Sequence, residues 1–104
     1  MLSDMFQFDA FSARAIVNAL LERGCLISVH DGEERVVTKS DNASKILDAM
    51  GNTEADQLTV FNMAKEKLGS FYLVYGNGPG ELVADYTANA FCESIMRRCG
   101  LAGF

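Results

Sequence analysis

Proline occurs once, histidine once and cysteine three times in the 104 residues, and each scarcity removes a class of answer. One Pro beside 49% hydrophobic and 22% charged residues is the wrong composition for a disordered chain. The three thiols, Cys25, Cys92 and Cys99, are an odd set at no metal-ligand or redox-motif spacing, which fits cysteines kept reduced in a cytoplasm. With one His and no Ser in a nucleophile elbow, zinc lacks ligands and imidazole chemistry has a single residue to pass through. No apolar run approaches the roughly 18 residues that span a bilayer, and residues 1–6 carry no basic stretch ahead of their apolar positions. The expectation is a soluble, cytoplasmic, non-enzymatic protein with no metal, no cofactor and no membrane contact.

Basic residues are also few. Nine Lys+Arg against fourteen Asp+Glu give a formal charge of -5, the wrong sign for gripping phosphate backbones, so direct nucleic-acid binding is disfavoured. What remains is enough apolar residue for one packed core, and 104 residues predict one domain over residues 1–104.

The hydrophobic spacing predicts an α+β fold. Asp9 can cap a first helix through Leu21, with Phe8, Phe11, Ala15, Ile16, Ala19 and Leu20 on one stripe and Gly24 as the stop. Cys25 to Val29 and Arg35 to Lys39 read as strands around Asp31-Gly32, either a two-residue turn or a three-residue turn with a bulge. Ser40 or Asp41 caps a second helix carrying Ala43, Ile46, Leu47 and Met50. Residues 52–56 read as a polar connector, and Leu58 to Met63 with Leu68 to Tyr75 as a second hairpin. In the latter strand Phe71, Leu73 and Tyr75 share one face and Tyr72 and Val74 the other. After the dense turn chemistry of residues 76–80, Leu82 to Tyr86 is either a fifth strand or a helical turn. Thr87 then caps a last helix with Ala88, Phe91, Cys92, Ile95 and Cys99 on its stripe. The order α-β-β-α-β-β-β-α predicts an antiparallel sheet of four or five strands, covered by three helices on one face.

Few residue groups carry chemistry. Gly76-x-Gly78-x-Gly80 resembles a phosphate cradle only superficially: Pro79 removes an N–H, no Lys follows, and the next segment reads as a strand. His30 lies five residues from Cys25 along one strand and so faces away from it, a solvated hairpin histidine rather than half of a Cys–His pair. Asp31, Glu33 and Glu34 in one turn and Glu54 and Asp56 in another can steer a basic partner or simply serve solubility. Met1, Leu2, Met5, Phe6 and Phe8 make residues 1–8 an apolar N-terminal arm, suited to packing on the sheet or on a second subunit.

Residues 27–37 (ISVHDGEERVV) and 73–89 (LVYGNGPGELVADYTAN) resemble segments of small bacteriophage and prophage proteins of unassigned function. The likeness spans residues 25–95 and implies a mobile-element origin, with no catalytic residues to carry over.

Size, charge and the missing catalytic set together predict a non-enzymatic binding protein that contacts a host or phage protein. A basic nucleic-acid-handling complex is the favoured partner, and defence inhibitors of the anti-CRISPR or anti-restriction kind are the phage class this size and charge most resemble. The predicted contact residues are Asp31, Glu33, Glu34, Glu54 and Asp56. The rival expectations are a structural homodimer joined through Met5, Phe6 and Phe8, and a small-ligand binder built on His30 and the Gly76 to Gly80 loop.

Overall fold

Alternation of buried and exposed side chains along each strand makes a two-faced sheet, and all the helices gather on one of its faces. In a computed structural model, which describes residues 7–76 and 81–100, the elements are α1 (Gln7–Glu22), β1 (Leu26–His30), β2 (Arg35–Ser40), α2 (Ala43–Ala49), β3 (Ala55–Phe61), β4 (Lys67–Val74), β5 (Val83–Tyr86) and α3 (Ala90–Arg98). The five strands form one sheet in the order β2-β1-β3-β4-β5, every pair antiparallel. This is the predicted α+β order, and residues 83–86 are a strand rather than a helical turn.

The inner face carries Ile27 and Val29, Leu58 and Val60, and Phe71 and Leu73, all fully buried. Against it α1 brings Ile16, Val17 and Leu20, α2 brings Ile46, and α3 brings Cys92 and Ile95. Helix α1 lies between the other two and touches both, while α2 sits over β1 and β2 and α3 over β4.

Helix starts differ from the sequence reading, and at α2 and α3 a side chain nearer the helix takes the capping role. Asp9 is not a cap: α1 begins at Gln7, and Asp9 is buried in its first turn. Asn42, not Ser40 or Asp41, caps α2 by accepting the Lys45 N–H at 3.0 Å, and Ser40 Oγ instead accepts the Asn42 N–H. Asn89, not Thr87, caps α3 through the Cys92 N–H at 2.8 Å, and Thr87 Oγ1 accepts from Ser70. Each Asn stands immediately before its helix, where a side-chain oxygen can accept the N–H three residues on. Ala88 is consequently exposed and outside the helix.

The stripe of α1 is also rotated from the prediction: Ala10, Ala13, Ile16, Val17, Ala19 and Leu20 are buried, and Phe11 is 73% exposed. Of the expected apolar arm, Met5 and Phe6 lie outside the described residues. Phe8 belongs to α1, with its side chain outside the description, as are the turn residues 77–80.

At Gly69 in β4 the sheet closely approaches α3. A Cβ built there would lie 2.5 Å from Cys92 Sγ, and its φ of +154° is one that side chains rarely adopt. Gly69→Ala is therefore expected to cost about 2–3 kcal/mol, through overpacking and backbone strain. Urea denaturation of the single variant and of Gly69→Ala with Cys92→Ala checks this: the second substitution removes the sulfur and should restore part of the loss.

Candidate functional site

The turn between β1 and β2 is organised by its own carboxylate. His30 pairs with Arg35, so four residues make the reversal rather than the two or three read from Asp31-Gly32. Asp31 donates its N–H to the Glu34 carbonyl at 3.1 Å, while its Oδ1 accepts the N–H groups of Glu33 at 3.2 Å and Glu34 at 3.1 Å. Gly32 takes the left-handed conformation, φ +100°, that this Asx-type turn requires. The Glu34 and Glu33 N–H groups hold the Asp31 carboxyl below the ordinary carboxylate range, so this turn is anionic at neutral pH.

A second acidic loop, between α2 and β3, is tied to this turn. Thr53 Oγ1 lies 2.7 Å from the Ala55 carbonyl and 3.2 Å from the Asp31 carbonyl, sharing one proton between them. The two acidic segments, distant in sequence, thereby meet around a cavity of about 510 Å³ lined by His30, Asp31, Glu33, Thr53, Glu54, Asp56, Gln57 and Tyr72, among others. Among the described residues, no Lys or Arg lines it. A second concavity of about 310 Å³ shares Gln57 and Tyr72 and adds Ser70, Asp85, Tyr86 and Thr87.

Both concavities open on the face of the sheet that the helices leave uncovered. Strand register sets four exposed residues in one row across it, His30 opposite Gln57, Gln57 opposite Tyr72, and Tyr72 opposite Asp85. At the other end of this face Lys39 Nζ lies 4.7 Å from the centroid of the Phe61 ring. Arg35, the exposed partner of His30, stands beside the carboxylates at the end of β1, and Lys39 marks the end of β2.

Behind the larger cavity lies a buried polar cluster. Asp56 is 1% exposed, and its Oδ2 accepts the Tyr75 hydroxyl at 2.5 Å and the Gly51 N–H at 2.8 Å. Asp9 is also 1% exposed, and its Oδ2 accepts the Gly76 N–H at 2.8 Å. The Oδ1 atoms of both are buried without a hydrogen-bond partner among the described residues. Burial raises the Asp56 pKa more than the Tyr75 and Gly51 bonds lower it, and the nearby Asp31 charge raises it further. Tyr75 is pushed far up, first by burial and then by Asp56, so it serves as a donor throughout the physiological range.

Of the five predicted contact residues, Asp31, Glu33 and Glu54 are brought together at the cavity. Glu34 is exposed on the turn but does not line it. Asp56 is a correction: β3 begins at Ala55, so Asp56 points to the inner face and is a buried hydrogen-bond acceptor rather than a displayed charge. His30 is exposed, and Cys25 is buried on the other face. Burial raises the thiols of Cys25, Cys92 and Cys99, which keeps them protonated. Among the described residues no group of three or more His, Cys, Asp or Glu is placed to hold a metal ion, and no helix is long and apolar enough to cross a membrane. The sequence reading missed Gln57, Tyr72 and Asp85. Pairing register alone aligns them, and register was undetermined before the structure. Compared with known protein families, curated proteins and solved structures, the chain matches none.

The buried carboxylate makes a pH prediction. Folded Asp56 holds its proton more tightly than in the unfolded chain, so its contribution makes stability fall as pH rises from the ordinary carboxylate range through its raised value, then level off. Urea midpoints measured from about pH 3 to about pH 8 should show that Asp56→Asn removes this component relative to the unsubstituted chain. Tyr75→Phe should cost about 1–3 kcal/mol, by removing a donor from a buried charge, and should extend the falling segment to higher pH. Parallel curves for all three proteins would show that Asp56 does not titrate in this way.

Proposed function

We propose that this protein is a non-enzymatic acidic binding module that occupies a basic surface of a protein partner, of the kind a bacteriophage or other mobile element directs against bacterial defence. The observation that carries the reading is the convergence of Asp31, Glu33 and Glu54 on one cavity without a Lys or Arg among its described lining. Carboxylates held on a rigid turn can compete for a groove that otherwise takes phosphate, and their field steers the encounter. The net charge of -5 supports the same reading. The partner class it favours is a nucleic-acid-handling defence complex, bound in the bacterial cytoplasm.

Binding to purified bacterial RNA-guided and restriction complexes tests this. The expected result is an interaction with at least one of them that weakens with salt and loses at least about tenfold in affinity when Asp31→Asn, Glu33→Lys and Glu54→Lys are combined. Affinity that is unchanged in the triple variant would place the contact elsewhere and end this reading.

A further inference from the structure

We infer that the uncovered sheet face takes one extended basic segment of the partner, laid across the strands, with one cationic side chain seated in each of the two concavities that flank Tyr72. The inference rests on the proposed function and names how that site would be filled.

Four observations carry it. The row from His30 through Gln57 and Tyr72 to Asp85 crosses four strands, and at about 4.8 Å per strand it is about 14 Å long. An extended segment rises about 3.3 Å per residue and turns every second side chain the same way, so residues four apart reach about 13 Å along one side. Carboxylates stand at both ends of the row, Asp31, Glu33 and Glu54 at one and Asp85 at the other, so both concavities are complementary to a cation. Tyr72, 45% exposed and lining both, offers its ring between them, where a guanidinium or ammonium is attracted to the π face. Among the described residues no Lys or Arg lines either concavity.

Arginine suits these seats better than lysine. At Asp31 both turn N–H groups go to Oδ1, and at Asp85 Oδ1 accepts the Tyr86 N–H at 2.9 Å. A planar guanidinium can address a second carboxylate oxygen while stacking on the tyrosine.

Fluorescence anisotropy with labelled synthetic peptides tests the inference, using Ser/Thr-rich sequences that carry two Arg four residues apart, two Arg three apart, or one Arg. The four-apart peptide should bind about tenfold more tightly than the other two. Tyr72→Ala and Asp85→Asn, both at exposed positions, should each weaken it about tenfold, and Asp85→Asn should leave the one-Arg peptide, which can take the larger concavity, little changed. Equal affinity for all three peptides would overturn the inference. So would Tyr72 and Asp85 variants without effect while the Asp31, Glu33 and Glu54 variant loses binding; that result would leave the basic-partner reading standing. Sedimentation that finds a dimer dissociated by Tyr72→Ala would also overturn it, because a second copy would then fill the face.

Discussion

Everything else in this fold depends on a five-stranded antiparallel sheet being covered on one side only. Three helices on the inner face bury Ile27, Val29, Leu58, Val60, Phe71 and Leu73 completely, and each such side chain contributes about 1.5–3 kcal/mol. The same pleat that turns these residues inward turns His30, Gln57, Tyr72 and Asp85 outward. Core and display surface therefore share one register, and a slip of one residue would exchange them. Gly69 against Cys92 and the irregularity between Val60 and Phe61 help hold that register where β3 meets β4.

The buried carboxylates act at the opposite end of the strands. Asp9 joins the first turn of α1 to the residue after Tyr75, and Asp56 joins β3 to Tyr75 and to the segment leaving α2. A buried carboxylate costs free energy unless donors surround it, and among the described residues each leaves one oxygen unsatisfied. These bonds secure the ends of β3 and β4 and the loop bearing Thr53, and Thr53 in turn holds that loop to the Asp31 turn. The geometry of the acidic cavity is thus supported from behind by two buried carboxylates and their donors.

This division explains what was legible in the sequence. Element order and sheet class followed from periodicity and turn chemistry, because both are local. The rotation of α1 was not legible. A stripe containing Phe8 and Phe11 looks more apolar than one containing Ala10 and Ala13, yet the small residues let the helix lie close to the sheet. Asp9 belongs to the same side as Ala13, Ile16 and Leu20, and its bond to Gly76 fixes that rotation, which leaves Phe11 in solvent. Asp56 was misread for a related reason: an acid beside a polar connector reads as surface, and its buried donors, Tyr75 and Gly51, lie 19 and 5 residues away. Of the site, the acidic turns were visible and their convergence was not, since it depends on Thr53 reaching across 22 residues to Asp31.

The proposed recognition through the sheet's face, rather than through an edge, accords with the form of its edge strands. Edge strands invite pairing with a foreign strand when they are long, flat and regular. Here β5 has four residues, and β2 is interrupted by two register shifts against β1 and by Lys39 at φ +41°. Both edges are blunted by the devices that discourage such pairing. The open face between them is regular from β1 to β3, and Tyr72 stands exposed near its middle. The molecule thus offers poor backbone templates on either side and, between them, aligned side chains with carboxylates at both ends of the row. Charge and register together, rather than apolar area, would then decide what binds there, and such an interaction is sensitive to salt and to single side chains.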